Sequence, residues 1–574
     1  MTVTREKMLP ERTPGPAQDD SVERVFQLGL LFFILCMLYV TLKLSSIRFF
    51  DFDEYQVLYE SASLVRGKAL YSDRIGVHFP FMNVVISCLL GALGFKTASV
   101  VAVRYFVLLF SFVTLTFVFK ITEMLWNKTT ALIAVALTLS CMVFLHKGIE
   151  IRHDLFNMAF NTAGAYGALK YLKQPGRYGL WFSGLMLGLA IASTQKAAIW
   201  SVGIMIGLLL GLARGGAARS VAKVSAIFAY TTVLPILALL AFLYLTVGES
   251  LGAFLRETVI GPLDYFVPEK ANQTYPFPYT REAIFGGLLH ENALFYLFSV
   301  SGLFWAFKEF FQHNSAKGII AFWASAGILF YLITSRPFHQ SLLPTLPAMG
   351  ILAAGFIMDV RKILRFSSLR IGVGIEVLGV LSVLAWPVYL MVHGKDISPT
   401  IVDREMQNIS FCLDHLKADE KVLCFTQQQV FFDPVFRMHG DECGRRFLDF
   451  DEACFENRMI REQCKVVIDD YLTTLLSKRI RAEIGKNYVS AGVGQILIPG
   501  FAAPPGSTVK KVWVAGDYYN PSRELRVDGK EVQDHFIKLE QKEYLFDNAS
   551  GRVVWLVYIF DKEKMLSPPS GGAN

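Results

Sequence analysis

Two acidic residues, Asp53 and Glu54, directly follow the first long apolar segment, in the string FFDFDEY. A carboxylate placed where a membrane-spanning segment ends lies at the level of the lipid headgroups. Such a carboxylate can accept the proton of an attacking hydroxyl or amine, which makes it a candidate general base. This position predicts chemistry at a membrane surface.

Further charged residues stand in later polar stretches. The string HKGIEIRHD contains Glu150, Arg152 and Asp154, and the string STQKAAIW places Lys196 between two apolar segments. We predict that Asp53, Glu54 and Asp154 are catalytic, and that any divalent metal would be held by Asp53 and Asp154. The predicted phosphate ligands are Lys196, His78, Arg74, Arg256, Arg336 and His339.

This set of residues suits the transfer of a sugar from a lipid-phosphate carrier. The acceptor must lose a proton as it attacks the anomeric carbon, so one positioned carboxylate suffices as base. The leaving phosphate is already an anion, and Arg and Lys side chains stabilise its developing charge. The sequence contains neither GxxxxGK[ST] nor a GxGxxG string between a strand and a helix, so a nucleotide-bound donor has little support.

Composition places the chain in a membrane. Hydrophobic residues make up 53% of the 574 residues, charged residues only 18%, and the mean hydropathy is +0.40. The apolar residues form runs close to the length that crosses a bilayer. The net charge of +7 comes mostly from basic residues that flank these runs, where they orient helices rather than bind nucleic acid.

Loop charge predicts which side each connection occupies. Basic residues collect in one alternating set of loops, which we assign to the cytoplasm together with residues 1–26. The run at 80–95 is short and follows His78, so we expect a juxtamembrane or re-entrant helix there and about eleven spans in total. The predicted spans lie near 27–45, 99–121, 129–146, 155–172, 179–195, 198–213, 224–246, 285–307, 318–334, 341–358 and 370–392.

The membrane region is expected to cover residues 27–393, and a soluble composition follows it. We predict an α/β region at 394–498, with strands at 421–425 and 465–472. In residues 499–566 apolar and polar residues alternate with period two, which predicts a β-sandwich-like module, and we expect a flexible tail at 567–574. Five cysteines in this part lack a CxxC pair, which favours one or two disulfides over zinc. We expect Trp513 and Trp555 in the core, and no catalytic role for the second DFDE string at 449–452.

The order of these motifs resembles the GT-C superfamily of integral-membrane glycosyltransferases. An apolar first span is followed by the Asp-Glu pair, GVHFPFMN, RHDLF, STQKA and RPFHQSLLPTLPA. The pattern is most similar to the protein O-mannosyltransferase and lipid A aminoarabinose transferase branch. His78 stands where the aminoarabinose branch carries Lys before Pro, and Gln195-Lys196-Ala197 replaces Thr-Lys-Gly.

This resemblance implies a polytopic α-helical bundle, an extracytoplasmic active site beneath juxtamembrane helices, a polyprenyl-phosphate sugar donor and inversion at the anomeric centre. It also implies that Asp53 is the catalytic carboxylate, that Asp154 is the second acidic position and that Lys196 is the basic position of its string. We expect a bacterial inner membrane with an undecaprenyl carrier. The acceptor, which could be a lipid, a glycan or a protein, stays open.

Other interpretations of the same residues remain. Asp154 could cap the helix that starts beside it, and Lys196 could extend from a helix end to the membrane interface. His78 could cap the re-entrant helix, and the remaining basic residues could contact headgroups. The whole chain could instead be a lipid or polysaccharide transporter or flippase, or a membrane sensor that binds glycans without catalysis, although the paired halves typical of transporters are not evident.

Overall fold

Long helices form the first two thirds of the chain, and a sheet-rich region forms the last third. The structure is a computed structural model, and it describes residues 19–73, 75–214, 218–263, 281–312, 315–334, 338–363, 399–436, 443–446, 449–522 and 524–561. The helices of the first part are α1 Asp19–Ile47, α2 Phe52–Val65, α3 Phe81–Leu93, α4 Thr97–Leu125, α5 Lys128–Ser140, α6 Met142–Lys147, α7 His153–Lys173, α8 Arg177–Ser193, α9 Ala197–Arg214, α10 Ala218–Val247, α11 Leu251–Leu255, α12 Gly261–Leu263, α13 Arg281–Gln312, α14 Ser315–Ile333 and α15 Leu346–Ile363. A π-helical turn, Arg256–Ile260, joins α11 to α12, and a 3-10 turn, His339–Thr345, precedes α15.

The predicted helical membrane architecture is confirmed in the described part of the chain. Seven helices there are long and apolar enough to cross a membrane, and α3, α5 and Tyr178–Ser193 of α8 are shorter apolar helices. Ten of the predicted spans lie on described helices, and the eleventh, 370–392, falls outside the described residues. The short run at 80–95 forms the 13-residue helix α3, which is shorter than a bilayer requires.

Two helices are interrupted at the same point of contact. The helical path breaks at Cys141 between α5 and α6, and α13 leaves helical geometry at Asn292. The Asn292 amide oxygen accepts a hydrogen bond from the backbone N–H of Met142 at 2.8 Å, so it satisfies a donor at the start of α6. The short helix α6 then ends at Lys147, which therefore lies in the charged region described below.

Close helix packing depends on small residues. A Cβ added to Gly207 on α9 would lie 2.6 Å from the Cα of Ile319 on α14, so the two backbones approach as only glycine permits. Close contact of this kind drives helix association in membranes, where lipid removes the hydrophobic advantage of burial.

The C-terminal region is built on a mixed eight-stranded sheet. The elements are helices α16 Pro399–His415, α17 Glu452–Arg461 and α18 Lys478–Asn487, a 3-10 turn Thr473–Leu475, and strands β1 Lys421–Leu423, β2 Asp433–Pro434, β3 Gly444–Arg446, β4 Asp449–Phe450, β5 Val466–Ile468, β6 Tyr488–Ser490, β7 Ile496–Ala503, β8 Gly506–Lys511, β9 Gly516–Tyr519, β10 Leu525–Val527, β11 Lys530–Glu531, β12 Phe536–Leu539, β13 Glu543–Asn548 and β14 Val554–Tyr558. The path of the large sheet runs β12-β9-β14-β7-β5-β1-β2, with β6 paired to β7, and a second sheet runs β11-β10-β13-β8. β1 pairs in parallel with β2 and β5, whereas the later strands pair antiparallel.

Strand β7 links the two predicted C-terminal regions. It crosses residue 498 and pairs with β5 on one side and β14 on the other, so both regions share one sheet. Trp513 is buried as predicted, but the expectation for Trp555 is wrong, because its side chain is 48% exposed on the outward face of β14. Strand alternation explains the difference, since the neighbours of Trp555 point inward.

Cysteine and aspartate residues of this region have structural roles. Cys443 and Cys454 form a disulfide, as the cysteine pattern allowed, while Cys412, Cys424 and Cys464 are buried free thiols. Within the second DFDE string, Asp451 caps α17 by accepting a hydrogen bond from the backbone N–H of Cys454 at 2.9 Å.

The C-terminal region packs directly on the first polar loop of the membrane region. Asp433 forms an ion pair with Lys68 and lies 3.6 Å from the guanidinium of Arg66. The rings of Phe431 and Phe95 stack with their centroids 4.9 Å apart. One hydrophobic core runs through membrane helices and this region, so the sheet domain covers the end of the bundle where α2 and α3 lie.

Candidate active site

A capping box at the start of α2 sets the directions of Asp53 and Glu54. Asp51 is the N-cap, and its carboxylate accepts the backbone N–H of Asp53 at 3.2 Å. The Glu54 carboxylate in turn accepts the backbone N–H of Asp51 at 2.9 Å. Adjacent helical residues point about 100° apart. Glu54 therefore turns into the protein, whereas Asp53 stays at the surface of the charged region.

Glu54 is completely buried and saturated with hydrogen bonds. Its two oxygens accept four N–H donors: two from Arg104, one from Asp51 and one from Ile151. Arg104, on α4, also donates to the carbonyl group of Ser45 in the last turn of α1 and to those of Arg48 and Phe49 just beyond it. No acceptor position of Glu54 is left for a substrate proton. This geometry fits a structural role and does not fit the catalytic role that we expected for Glu54.

A second buried carboxylate, Glu150, forms ion pairs with three cations. Arg48 lies 2.7 Å and Lys147 2.9 Å from Glu150, and the Arg152 guanidinium is also bonded to it. Burial alone would raise the pKa of Glu150, but the charges of Arg152, Lys147 and Arg48 hold that pKa well below its ordinary value. Glu150 is therefore an anion that fixes Arg152.

Arg152 links this buried cluster to the exposed carboxylates. Its guanidinium lies 2.6 Å from an oxygen of Asp53 and 3.1 Å from one of Asp51. Burial raises the pKa of Asp51, but the charges of Arg152 and Lys147 outweigh burial and lower it. Asp53 is the most accessible member, with 40% of its side chain exposed. Over the described residues its second oxygen, Oδ1, accepts no hydrogen bond, so this oxygen can accept one from a ligand. We call the charged region around Asp53, Arg152, Asp154 and Lys196 the pocket.

Lys196 approaches the same pocket from the break between α8 and α9. Its ammonium is partly buried, and among the described residues no carboxylate lies within the 4.0 Å ion-pair distance. The positive end of the α9 dipole begins at the next residue. Asp154, buried at the start of α7, interacts electrostatically with Lys196, Arg152 and Asp53, which places all four in one field.

Two imidazole rings line the pocket beside Lys196. The rings of His78 and His153 lie 4.7 Å apart. Burial, together with the charges of His153 and Lys196, holds the pKa of His78 well below its ordinary value. His78 is therefore neutral at physiological pH and can offer a hydrogen bond but no charge to an anion.

The site residues do not fit the divalent metal that we considered at Asp53 and Asp154. No group of three or more His, Cys, Asp or Glu side chains suited to a metal occurs among the residues that could be searched. Asp53 is already paired with Arg152, and Asp154 faces Lys196 and Arg152. These cations oppose the approach of a further positive charge.

The fold has counterparts among known proteins. Residues 80–246 match the family model described as dolichyl-phosphate-mannose-protein mannosyltransferase. Structural comparison matches the oligosaccharyltransferase of Archaeoglobus fulgidus with TM-score 0.52 and 11% identity, over 86% of this chain and 73% of that one. It also matches ArnT from Cupriavidus metallidurans with TM-score 0.52 and 13% identity, over 82% of this chain and 98% of that one. The chain has the GT-C fold.

A structure of the same ArnT bound to undecaprenyl phosphate aligns equally well with this chain, with TM-score 0.52 and 13% identity, over 82% of this chain and 97% of that one. Comparison with curated protein sequences finds no match. The resemblance inferred from the ordered motifs is thus confirmed at the level of the fold, although identities of 11 to 13% identify no single counterpart.

The GT-C bundle brings some predicted residues together and leaves others apart. Asp53, Glu54, Asp154, Lys196 and His78 meet in one charged region, as described above. His339 lies near it, because the charge of Lys147 acts on its ring. Arg256 is exposed on the π-helical turn, and no described contact joins it to the cluster. The predicted phosphate ligands Arg74 and Arg336 lie outside the described residues.

Sequence reasoning missed the buried partners that hold this site. Arg104 was a recognisable signal, since an arginine within an apolar span almost always faces the protein interior and a partner. Arg48, Glu60 and Asn83 gave no comparable signal. Their neighbours come from distant parts of the chain, and only the folded bundle brings them together.

Proposed function

We propose that this GT-C chain transfers a sugar from a polyprenyl-phosphate carrier to an acceptor at the outer face of the membrane, with inversion at the anomeric carbon. The family match to a dolichyl-phosphate-mannose-dependent transferase supports a lipid-phosphate donor. The Cupriavidus structure with undecaprenyl phosphate supports the same class of carrier. The observation that carries the proposal is that Asp53 and Lys196 both act on Asp154. Asp53 keeps one oxygen that accepts no hydrogen bond, and no carboxylate of the described residues lies within ion-pair distance of the Lys196 ammonium.

Asp53 is the proposed general base. Arg152 binds its Oδ2, which fixes the carboxylate plane and leaves Oδ1 for the acceptor. The acceptor oxygen or nitrogen forms a bond to the anomeric carbon while the bond from that carbon to the phosphate oxygen breaks. The electron pair leaves with the phosphate, and the acceptor proton moves to Oδ1 of Asp53. Attack opposite the leaving phosphate inverts the anomeric centre.

Lys196 is the proposed partner of the leaving phosphate. An ammonium next to the positive end of α9 stabilises the charge that develops on the phosphate oxygen. His78, neutral beside it, can donate a hydrogen bond to the same group. Asp154 balances the local positive charge and positions Lys196, whose charge acts on it.

The pocket and the C-terminal region lie together on one end of the bundle, which we place outside the cytoplasm because the opposite loops carry the basic residues. A bacterial inner membrane and an undecaprenyl carrier complete the proposal. The C-terminal sheet covers this end through Asp433 and Phe431, so an acceptor must enter beside it.

The test is the release of undecaprenyl phosphate from undecaprenyl-phosphate-linked mannose or aminoarabinose, measured by mass spectrometry. The purified full chain is supplied with envelope extract from cells that lack the gene, as the source of acceptor. We expect Asp53→Asn to lower turnover by about 10²- to 10⁴-fold, the range for loss of a general base. Lys196→Met should lower it by about 10²-fold, as for loss of one group that stabilises a developing anion.

Two variants control for charge and folding. Asp73→Asn removes another carboxylate of the polar stretch that contains Asp53, and Lys68→Met removes a lysine of that stretch, and both should keep turnover within about twofold. If Asp53→Asn still binds undecaprenyl phosphate, the variant is folded, and its loss of turnover is a loss of catalysis. Undiminished product formation by Asp53→Asn would overturn the proposal. Movement of the intact sugar-carrying lipid from one leaflet of a vesicle membrane to the other, without sugar transfer, would favour a flippase.

A further inference from the structure

A chain of buried polar side chains leads from the interior of α2 to the pocket. Glu60 is only 1% exposed, and its two oxygens accept hydrogen bonds from Gln56 at 2.9 Å and from the amide nitrogen of Asn83 at 2.7 Å. The amide oxygen of Asn83 lies 2.8 Å from Nε2 of His153. His153 directly precedes Asp154, and its ring lies beside that of His78. None of Glu60, Gln56 and Asn83 takes part in the mechanism above.

The direction of this chain follows from what each group can donate. An ionised carboxylate only accepts, so Asn83 must turn its NH₂ group toward Glu60 and its oxygen toward His153. An amide oxygen also only accepts, so Nε2 of His153 must carry the hydrogen. In the neutral ring, Nδ1 is then the acceptor, and within the described part of the chain no donor is bonded to it.

We infer that Glu60 and Asn83 are positioning residues that hold His153 in its Nε2–H tautomer, so that Nδ1 accepts a hydrogen bond from a hydroxyl of the sugar bound between Asp53 and Lys196. The inference rests on the proposed function for the identity of the ligand. The tautomer itself is a property of the protein alone. The arrangement adds a contact for the donor sugar that does not depend on the base or on the phosphate-binding lysine.

The surroundings of Glu60 agree with this role. Burial raises the pKa of Glu60 to about 7, against the hydrogen bonds from Gln56 and Asn83. Above that pH the carboxylate is ionised and accepts both hydrogen bonds, as the geometry requires. The charged groups that act on the chain are Asp53 beside Glu60, and Arg152 and Lys196 beside His153.

Substitution of Asn83 by Leu removes the link without adding charge. At about pH 8.5, where Glu60 is ionised, we expect Asn83→Leu to lower kcat/KM about 10- to 100-fold, the factor that one lost or reversed hydrogen bond allows. Binding of undecaprenyl phosphate, which lacks the sugar, should stay within about twofold of the native value. Solid-state NMR of isotope-labelled histidine in lipid should show the Nε2–H signature of His153 in the native protein and its loss in the variant.

A swapped pair provides the rescue. In Glu60→Gln/Asn83→Asp the amide of residue 60 donates to the carboxylate of residue 83, which still accepts from Nε2 of His153. Every hydrogen bond is retained with the donors exchanged, so the Nε2–H signature and at least about a third of the native kcat/KM should return. Glu405→Gln is the matched control, because Glu405 is another buried acid whose pKa burial raises to about 7, and it bonds the backbone of Phe50 instead of this chain.

The outcomes separate the inference from the proposed function. If the native protein releases no undecaprenyl phosphate from any donor, the proposed function fails, whereas the tautomer measurement still tests the chain of hydrogen bonds. If the native protein is active and Asn83→Leu keeps both its turnover and the His153 signature, the inference is overturned. It is also overturned if Glu405→Gln loses as much turnover as Asn83→Leu, or if the swapped pair restores stability without activity.

Discussion

Glu54 and Arg104 form a buried ion pair that we expect to stabilise the fold without taking part in the reaction. Glu54 stands next to the proposed base, yet its carboxylate is buried and accepts four N–H donors. Glu54→Gln replaces an acceptor of four hydrogen bonds by an amide oxygen that accepts two. Two donors lose their partner, and the Arg104 charge, 1% exposed, loses its counter-ion.

The expected cost follows from these losses. Breaking one side of a buried ion pair destabilises by about 3–5 kcal/mol, since the remaining charge stays buried without compensation. We therefore expect Glu54→Gln to lower the free energy of unfolding by about 3 kcal/mol or more. Arg104→Met should cost a similar amount, because it also leaves the carbonyl groups beyond α1 without donors. The double variant should cost about 2 kcal/mol less than the sum, since no uncompensated arginine is left.

The assay is reversible unfolding in mixed detergent micelles, followed by tryptophan fluorescence, together with turnover at a temperature where each variant is folded. Asp53→Asn is the contrasting variant. Asp53 is 40% exposed, so its loss should cost less than about 1 kcal/mol of stability while it removes turnover. A Glu54→Gln protein as stable as the native one but as inactive as Asp53→Asn would refute this reasoning and return Glu54 to the chemistry.

Three further predictions concern the rest of the chain. Cys454→Ser, which breaks the disulfide with Cys443 across a sequence separation of 11, should destabilise the C-terminal region by about 2–3 kcal/mol, measured by thermal unfolding. In the native protein, alkylation after denaturation but without reduction should modify the six free thiols, counted by mass spectrometry. Burial raises the pKa of Asp433, but the hydrogen bond and charge of Lys68 outweigh burial and lower it. The pair therefore stabilises above the unfolded value near 3.8, and this stabilisation is lost as pH falls through the lower folded value. The protection of the amides around β2, corrected for the intrinsic exchange rate, should therefore fall in acid, by an amount that exposure limits to about 1 kcal/mol. Gly207→Ala should destabilise by about 1–3 kcal/mol, because its Cβ would meet the backbone of α14. Gly29→Ala, on α1 with open space around it, should be neutral or stabilise by up to about 1 kcal/mol in the same unfolding assay.

Much of the fold could be predicted from local sequence. Apolar runs of bilayer length, separated by basic and polar loops, predict helices and their order, because each run must satisfy its own backbone hydrogen bonds in lipid. Ten of the predicted runs lie on described helices, and even the short helix α3 was indicated by the length of its run. The capping string around Asp51 likewise determines where α2 begins.

Roles within the site could not be assigned in the same way. Asp53 and Glu54 are neighbours of nearly equal chemistry, and the sequence predicted both as catalytic. The helix turns one of them toward Arg104, 50 residues away, and leaves the other at the pocket. The same limit explains why Trp555 was misplaced and why Glu60 and Asn83 were overlooked.

The sequence by itself determined that this protein is a helical membrane protein, because apolar run length and loop charge act locally and need no partner. The order of its short motifs indicated the resemblance to the GT-C superfamily. Only the tertiary structure decided which charges are neutralised and which remain for a ligand. Whether a side chain is paired depends on distances between residues far apart in the chain, and Coulomb energies change steeply with those distances and with burial. For this reason Glu54 is occupied, while Asp53 and Lys196 face the pocket.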